Sequence, residues 1–335
     1  MTPAEILIVG QGLAGTMLAW EFERAGIEFH IADLGHGEAA SRVAAGIINP
    51  ITGQRIVKSW RVDSLLPIAR ESYVAFEKQL GIPLWREMRV RRLYVNEKER
   101  RVLAEKQARG ELADYAGAND GDGFWIEGAA RVDVSAMIAT ARARWRAAGV
   151  LNERRVDFVD VQRRYALVID CTGNGHGPFG FVPWQYSKGE CLSVTIEGLA
   201  EDVVVNRGQW LVPIGANQAK VGATHCPARR DLILTREARE ELEVGLQAMT
   251  SRPYDVTDQH VGVRVYLADK RPVVGRHPAD ARLGILNGLG GKGTLFAPAL
   301  ARQWVNHLME GVPFDPEVDV ARLWAASRNA AGLTH

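Results

Sequence analysis

The strongest constraint on this chain lies in its first fifteen residues. Ile6-Leu7-Ile8-Val9 runs directly into Gly10-Gln11-Gly12-Leu13-Ala14-Gly15, and an acid, Asp33, closes the next apolar run. A short β-branched stretch, a G-x-G-x-x-G turn and a helical pattern spell strand, turn and helix. Gly10 permits the tight turn, Gly12 lets the backbone approach a pyrophosphate, and Gly15 brings the helix close to the sheet. The helix start then presents free N–H groups and its positive dipole end to phosphates. Asp33 stands 33 − 10 = 23 residues after the first glycine, where a carboxylate accepts hydrogen bonds from ribose hydroxyls. The glycines alone could merely cap a helix. The full strand–helix–strand–acid array points to a bound dinucleotide.

A chain of 335 residues exceeds one small core, so one large or two intertwined domains are expected. Net charge is +1, from 41 basic and 40 acidic residues, so no strong field favours nucleic acid or an anionic membrane. A strand beginning almost at the first residue leaves no space for a signal peptide, and no apolar run reaches membrane-spanning length. The cysteines, Cys171, Cys191 and Cys226, are odd in number and widely spaced, which favours reduced structural thiols in a cytoplasmic protein. No H-x-H or H-x-x-x-H pair occurs among eight histidines, so no metal site is expected.

Periodicity predicts helices over 64–80, 97–111, 133–148, 235–249 and 295–309. A strand is expected over 90–95 and a turn-rich connection over 117–123. The run 166–170 is apolar on both faces, as in a covered parallel sheet, and leads into Cys171-Thr172-Gly173-Asn174-Gly175. From 189 to 265 short alternating strands dominate, which suggests an antiparallel sheet. A strand over 283–286 then opens into Asn287-Gly288-Leu289-Gly290-Gly291-Lys292-Gly293-Thr294.

Four segments together resemble one family. They are Gly10–Gly15 with Asp33, the run from Ser41 through Arg42, Val43, Ala44, Ala45, Gly46, Ile47, Ile48 and Asn49 to Pro50, the strand ending Asp170-Cys171-Thr172-Gly173, and the stretch 262–298. The chain is similar to the D-amino-acid oxidase family of flavoproteins, and to its glycine-oxidase branch in particular. Trp210-Leu211-Val212-Pro213, Val221-Gly222-Ala223-Thr224, Gly262-Val263-Arg264 and the run 271–278 occur in the order found there. The resemblance implies an α/β fold with a Rossmann-type FAD-binding domain and an inserted α+β substrate domain built on an antiparallel sheet. The FAD domain would comprise 1–60, 130–180 and 270–335, and the substrate domain 61–129 and 181–269. The resemblance implies non-covalent FAD, oxidation of the C–N bond of a small amine or amino acid by hydride transfer, and oxygen as the usual acceptor. Implied cofactor contacts are Gly10, Gly12, Leu13, Ala14, Gly15 and Asp33; Ser41, Arg42, Ala45, Gly46 and Ile47; Thr172 and Gly173; and Gly290, Gly291, Lys292, Gly293 and Thr294.

The residues make physical sense of that picture. The 290–294 turn offers N–H groups and a dipole end to a negatively charged reduced flavin, and Lys292 would add a full charge unless it is a solvated loop lysine. The small residues Ala44, Ala45 and Gly46 let a flat ring approach, although the same run could be a plain helix-start connection. Residues 49–55 depart from the family pattern.

For the substrate, Arg264 of the G-x-R motif is the implied carboxylate clamp, since a guanidinium donates two parallel bonds to one carboxylate. Its alternative is an arginine paired with a structural acid, and Val265 replaces the family's usual proline. In an extended strand Gly262, Arg264 and Tyr266 share a face, so Tyr266 could hydrogen-bond beside the arginine. Trp210 stands where the branch carries an active-site tyrosine. It is either an aromatic wall or core. His225 and Tyr186 are weaker candidates.

Two other functions remain open at this point. One is removal of a carboxymethyl group from a modified tRNA base, with Arg86, Arg89, Arg91 and Arg92 meeting RNA phosphates. The other is a flavoprotein that binds a ligand without turnover.

Overall fold

The computed structural model describes residues 5–35, 39–174 and 177–324. Residues 1–4, 36–38, 175–176 and 325–335 lie outside the described residues, including Gly175 and the end of the expected cofactor domain. Two large sheets organise the chain.

The first sheet has six strands in the order Val273–His277, Asp280–Asn287, Leu167–Asp170, Ile6–Val9, Phe29–Asp33 and Leu151–Glu153. Its five consecutive strands from Asp280–Asn287 to Leu151–Glu153 run parallel, and Val273–His277 closes the edge as an antiparallel hairpin arm. Every residue of Ile6–Val9 and Leu167–Asp170 is buried, as the unalternating apolar runs require. Ile6, Ile8 and Ile169 face a core shared with the helices Leu13–Arg24, Val62–Leu80, Val134–Ala147 and Gly293–Glu310. Leu7, Val9 and Val168 face the opposite core, built with Phe179, Val182 and Val320.

The second sheet has ten strands and is antiparallel apart from one pair, Val203–Arg207 beside Trp85–Leu93, which runs parallel. Its longest pairing joins Gln185–Ile196 to Tyr254–Tyr266, with a bulge at Ser193/Val194. The helix Arg236–Gln247 covers one face through Leu242 and Leu246, which meet Leu192, Leu211 and Val221. The other face carries Arg264 and Trp210 and turns toward the short helix Ala40–Val43.

The expected helices form close to their predicted bounds, because their ends carry chemical signals. Asp133 accepts from the Ala136 N–H at 3.1 Å, and Gly149 stops that helix at φ 72°. The strand expected over 90–95 is Trp85–Leu93, since the arginines along it hide the alternation while its backbone stays paired. Part of the expected 117–123 connection is a strand, Ala116–Asn119. The turn proper is confined to the residues around Gly121 at φ 89°. No helix of the described residues is long and apolar enough to cross a membrane.

Candidate active site

The segments singled out for the cofactor converge. A Cβ on Gly15 would collide with the Gly10 carbonyl oxygen, so only glycine lets this helix rest on the first turn. Gly10 sits at φ 96° against the backbone of Cys171 and Thr172. The helix Leu13–Arg24 begins without a cap from its own N-cap residue, and the Ser41 hydroxyl receives the Leu13 N–H at 3.0 Å. A Cβ on Gly293 would lie 2.9 Å from Leu13, which places the second helix start beside the first. Thr294 Oγ1 donates to the Ile47 carbonyl at 3.2 Å, and Asn287 Nδ2 donates to the Gly173 carbonyl at 3.0 Å. Gly46, at φ 75°, has no room for a side chain over the Val132 carbonyl, and Ala45 is buried beside it. Arg42, by contrast, is exposed and has no acceptor among the described residues.

Asp33 is buried at the end of its strand. Burial alone would raise its carboxyl. The N–H groups of Gln11 at 2.8 Å and Gly35 at 2.7 Å, with Arg142 Nη1 at 2.7 Å, outweigh that and hold it below the usual value. Arg142 also donates to Gln11 Oε1 at 2.8 Å and pairs with Glu153. Gln11 and Arg142 thus orient the predicted ribose acid. Sequence reasoning missed Arg142, since nothing local marks a helix residue 109 positions away as its partner.

These residues fit FAD. The helix Gly293–Glu310 opens after Lys292 without a side-chain cap, leaving N–H groups free for an anion. Lys292 is partly buried, its ammonium has no acceptor among the described residues, and burial lowers its pKa. Among the described residues it is a partly buried charge without a counter-ion, which suits a negative ligand group.

The substrate candidates lie on the adjoining sheet face. Gly290 N–H donates to the Val265 carbonyl at 3.0 Å, tying the helix-opening turn to the strand that carries Arg264 and Tyr266. The Arg264 guanidinium lies across Gly189, where a Cβ would come within 2.6 Å of Nη2. Among the described residues it donates to the Thr224 carbonyl, at a long 3.4 Å. Among the described residues no carboxylate lies within ion-pair distance of it, and burial lowers its pKa. Among the described residues the structural-acid alternative has no acid to pair with. Trp210 lies over Gly222 on the same face, also packing on the core of Val212 and Ile126, and its indole N–H has no acceptor among the described residues. His225 shares a 2.7 Å hydrogen bond with Ser187, directly opposite Arg264 in the strand register. Tyr186 points elsewhere, with Arg230 stacked 4.2 Å over its ring.

Two further residues on this face had no obvious sequence signal. Lys220 Nζ donates to the Val43 carbonyl at 3.0 Å, and burial lowers its pKa. Cys191 packs beside it with its thiol pKa raised by burial. Gly189, Gly222 and Gly262 did carry a signal: glycine within a strand marks a close approach. The first two make space for Arg264 and Trp210, and Gly262 for Val43. Among the described residues no cluster of histidine, cysteine and acidic side chains could hold a metal ion.

The model of the family described as FAD dependent oxidoreductase (DAO) matches residues 5–306. The chain belongs to that family. A curated relative, the tRNA 5-methylaminomethyl-2-thiouridine biosynthesis bifunctional protein MnmC of Maricaulis maris, is 30% identical over 332 residues. That alignment covers 92% of this chain but 52% of the relative, so this chain spans about half that protein's length. Iminodiacetate oxidase of Chelativorans sp. BNC1 superposes with a TM-score of 0.75 at 19% identity, covering 93% of this chain and 98% of that one. Glycine oxidase of Geobacillus kaustophilus gives 0.74 at 19% identity, covering 93% and 96%. This protein is an FAD-dependent oxidoreductase with the mixed α/β fold of those enzymes.

Proposed function

We propose that this FAD-dependent oxidoreductase oxidises the C–N bond of a small amine that carries a carboxylate, with oxygen as the final acceptor. The observation that carries the reading is Arg264: a largely buried guanidinium with no carboxylate partner among the described residues, beside the turn that would face the flavin. A buried charge left unpaired costs several kcal/mol unless a ligand completes it. In this reading FAD is held by 1–60, 130–180 and 270–335, and supplies the acceptor for the hydride leaving the amine-bearing carbon. Arg264 fixes the carboxylate by two parallel hydrogen bonds, and Trp210 walls the pocket. Lys292 and the start of Gly293–Glu310 stabilise negative charge where the cofactor gains it. Iminodiacetate oxidase and glycine oxidase, which share the fold, are named for substrates of this class. The test is anaerobic mixing of the yellow holoprotein with glycine, sarcosine, iminodiacetate and D-amino acids. Bleaching of the visible flavin band supports the reading, and recovery in air supports oxygen. An unbleached flavin across the panel overturns it.

The identity with MnmC favours a second reading, a modified tRNA base as the amine. The four arginines expected to meet RNA phosphates weigh against it. Arg86, Arg89, Arg91 and Arg92 pair with Glu201, Asp202, Asp120 and Glu99, and Arg92 is buried. Binding of bulk tRNA at low salt would revive it.

A further inference from the structure

Lys220 stands where a charge is hard to keep. It lies on the strand Gln218–Gly222, opposite Ser193 in the register, on the face that carries Arg264. Burial lowers its pKa, and among the described residues no carboxylate lies within ion-pair distance of its ammonium. A methionine in its place would fill similar space without the desolvation of a charge. What the ammonium meets is the Val43 carbonyl, at 3.0 Å. Val43 ends the short helix Ala40–Val43, and the last carbonyls of a helix have no acceptor role within it. The Cys191 thiol donates to the same oxygen at 3.7 Å. Beside them Gly262 leaves the space that this helix fills, since a Cβ would come within 2.9 Å of Val43 Cγ2 and 3.2 Å of the Ala40 Cα. Three strands of the second sheet thus build one seat for four residues of the other half of the molecule.

The seated helix leads directly into cofactor territory. Its Ser41 hydroxyl takes the Leu13 N–H at 3.0 Å, at the start of the dinucleotide helix. After Val43 come Ala44 and Ala45, and then Gly46, whose carbonyl receives the Val132 N–H at 2.9 Å. The two alanines are therefore pinned on one side at Gly46 and on the other at Val43. Among the donors to Val43 only Lys220 is charged, and a charge-assisted bond is the stronger kind.

Resting on the reading that residues 41–47 meet the cofactor, we propose that Lys220 is a positioning residue for FAD. Standing outside the segments that would hold the cofactor, it fixes Val43 and, through Val43, the path of Ala44 and Ala45 where the flat ring would lie. Stability is given up at Lys220 for the fit of a ligand bound elsewhere.

The experiment compares wild type with Lys220→Met and Ala44→Glu. Each protein is stripped of FAD, melted, and titrated with FAD while flavin fluorescence and the visible band are followed. In Lys220→Met the apoprotein Tm should hold or rise, because a desolvated charge is gone. Its Kd for FAD should rise about tenfold, the scale of one hydrogen bond to a charged group, and its visible band should shift. Ala44 is exposed in this structure, so Ala44→Glu tests the underlying reading without disturbing a core; it should alter both Kd and band. A lower apoprotein Tm in Lys220→Met, or failure of that variant to fold, would make the lysine a structural residue and overturn the proposal. Unchanged Kd and band in Lys220→Met, with both altered in Ala44→Glu, would overturn the role of Lys220 and leave the 41–47 run at the cofactor. No change in either variant would overturn the placing of that run as well.

Discussion

At Arg264 the balance between burial and pairing decides what the side chain is for. A largely buried guanidinium left, among the described residues, with one long bond to a carbonyl suits a ligand better than a structural ion pair. Arg264→Ala should lower kcat/KM for amine carboxylates about 100-fold, the scale of a charged hydrogen-bonded pair, with little change in the flavin spectrum. An unchanged kcat/KM would remove the residue from the site. Asp170 shows the opposite balance. Burial pushes its carboxyl up to about 6, against hydrogen bonds from the Thr172 N–H and hydroxyl. A carboxyl raised in the folded state stabilises the fold below its unfolded value near 3.8, and that contribution is lost as pH rises through about 6. Wild type should therefore lose up to about 3 kcal/mol relative to Asp170→Asn between pH 4 and pH 6. Parallel pH–Tm curves for the two proteins would contradict the shift. Of the site, Arg264, Trp210, Lys292 and the glycines could be picked from the sequence, because each stands in a local pattern. Arg142 could not, since it meets Asp33 only through the fold.

Among the elements, helices with chemically marked ends were legible to within a few residues, and the strands were legible in kind while the bounds of Trp85–Leu93 were not. The helix Val134–Ala147 has its cap at Asp133 and its stop at Gly149. The strand Trp85–Leu93 has no such mark. Its alternating exposure comes from neighbours on two sides, and one of them, Val203–Arg207, runs parallel to it from more than a hundred residues away. Glycines in the sheets separate function from stability. At Gly189 a Cβ would meet the Arg264 guanidinium at 2.6–2.8 Å, a group at the end of a flexible side chain. Gly189→Ala should displace the arginine and raise KM about tenfold while Tm holds, since alanine loses less chain entropy on folding than glycine. At Gly46 the collision is with backbone, the Val132 carbonyl, and φ is 75°. Gly46→Ala should cost several kcal/mol and deplete bound flavin. Equal effects of the two substitutions on Tm would defeat the distinction.

On the scale of the whole molecule, the segments proposed to hold the cofactor are 10–15, 41–47, 172–173 and 290–294, and the two long helices that open among them have no side-chain cap from their own N-cap residues. The seam where these segments meet is itself apolar, since Leu13, Ala14, Ile48, Leu295 and Phe296 belong to one buried core. Each sheet also packs a large apolar core of its own. A dinucleotide bound at the free helix starts adds stability beyond that packing, and it does so only in the folded state. Mass action sets the size of the effect: free FAD at a hundred times its Kd stabilises by about 2.7 kcal/mol. For a chain this large that corresponds to a rise in Tm of about 4 °C. The apoprotein, prepared by removing FAD, should keep its far-ultraviolet spectrum, because both cores persist, yet melt earlier. Its Tm should climb with the logarithm of added FAD. A Tm independent of FAD would mean that the glycine-lined seam closes without the cofactor, and that the free helix starts find partners other than its phosphates.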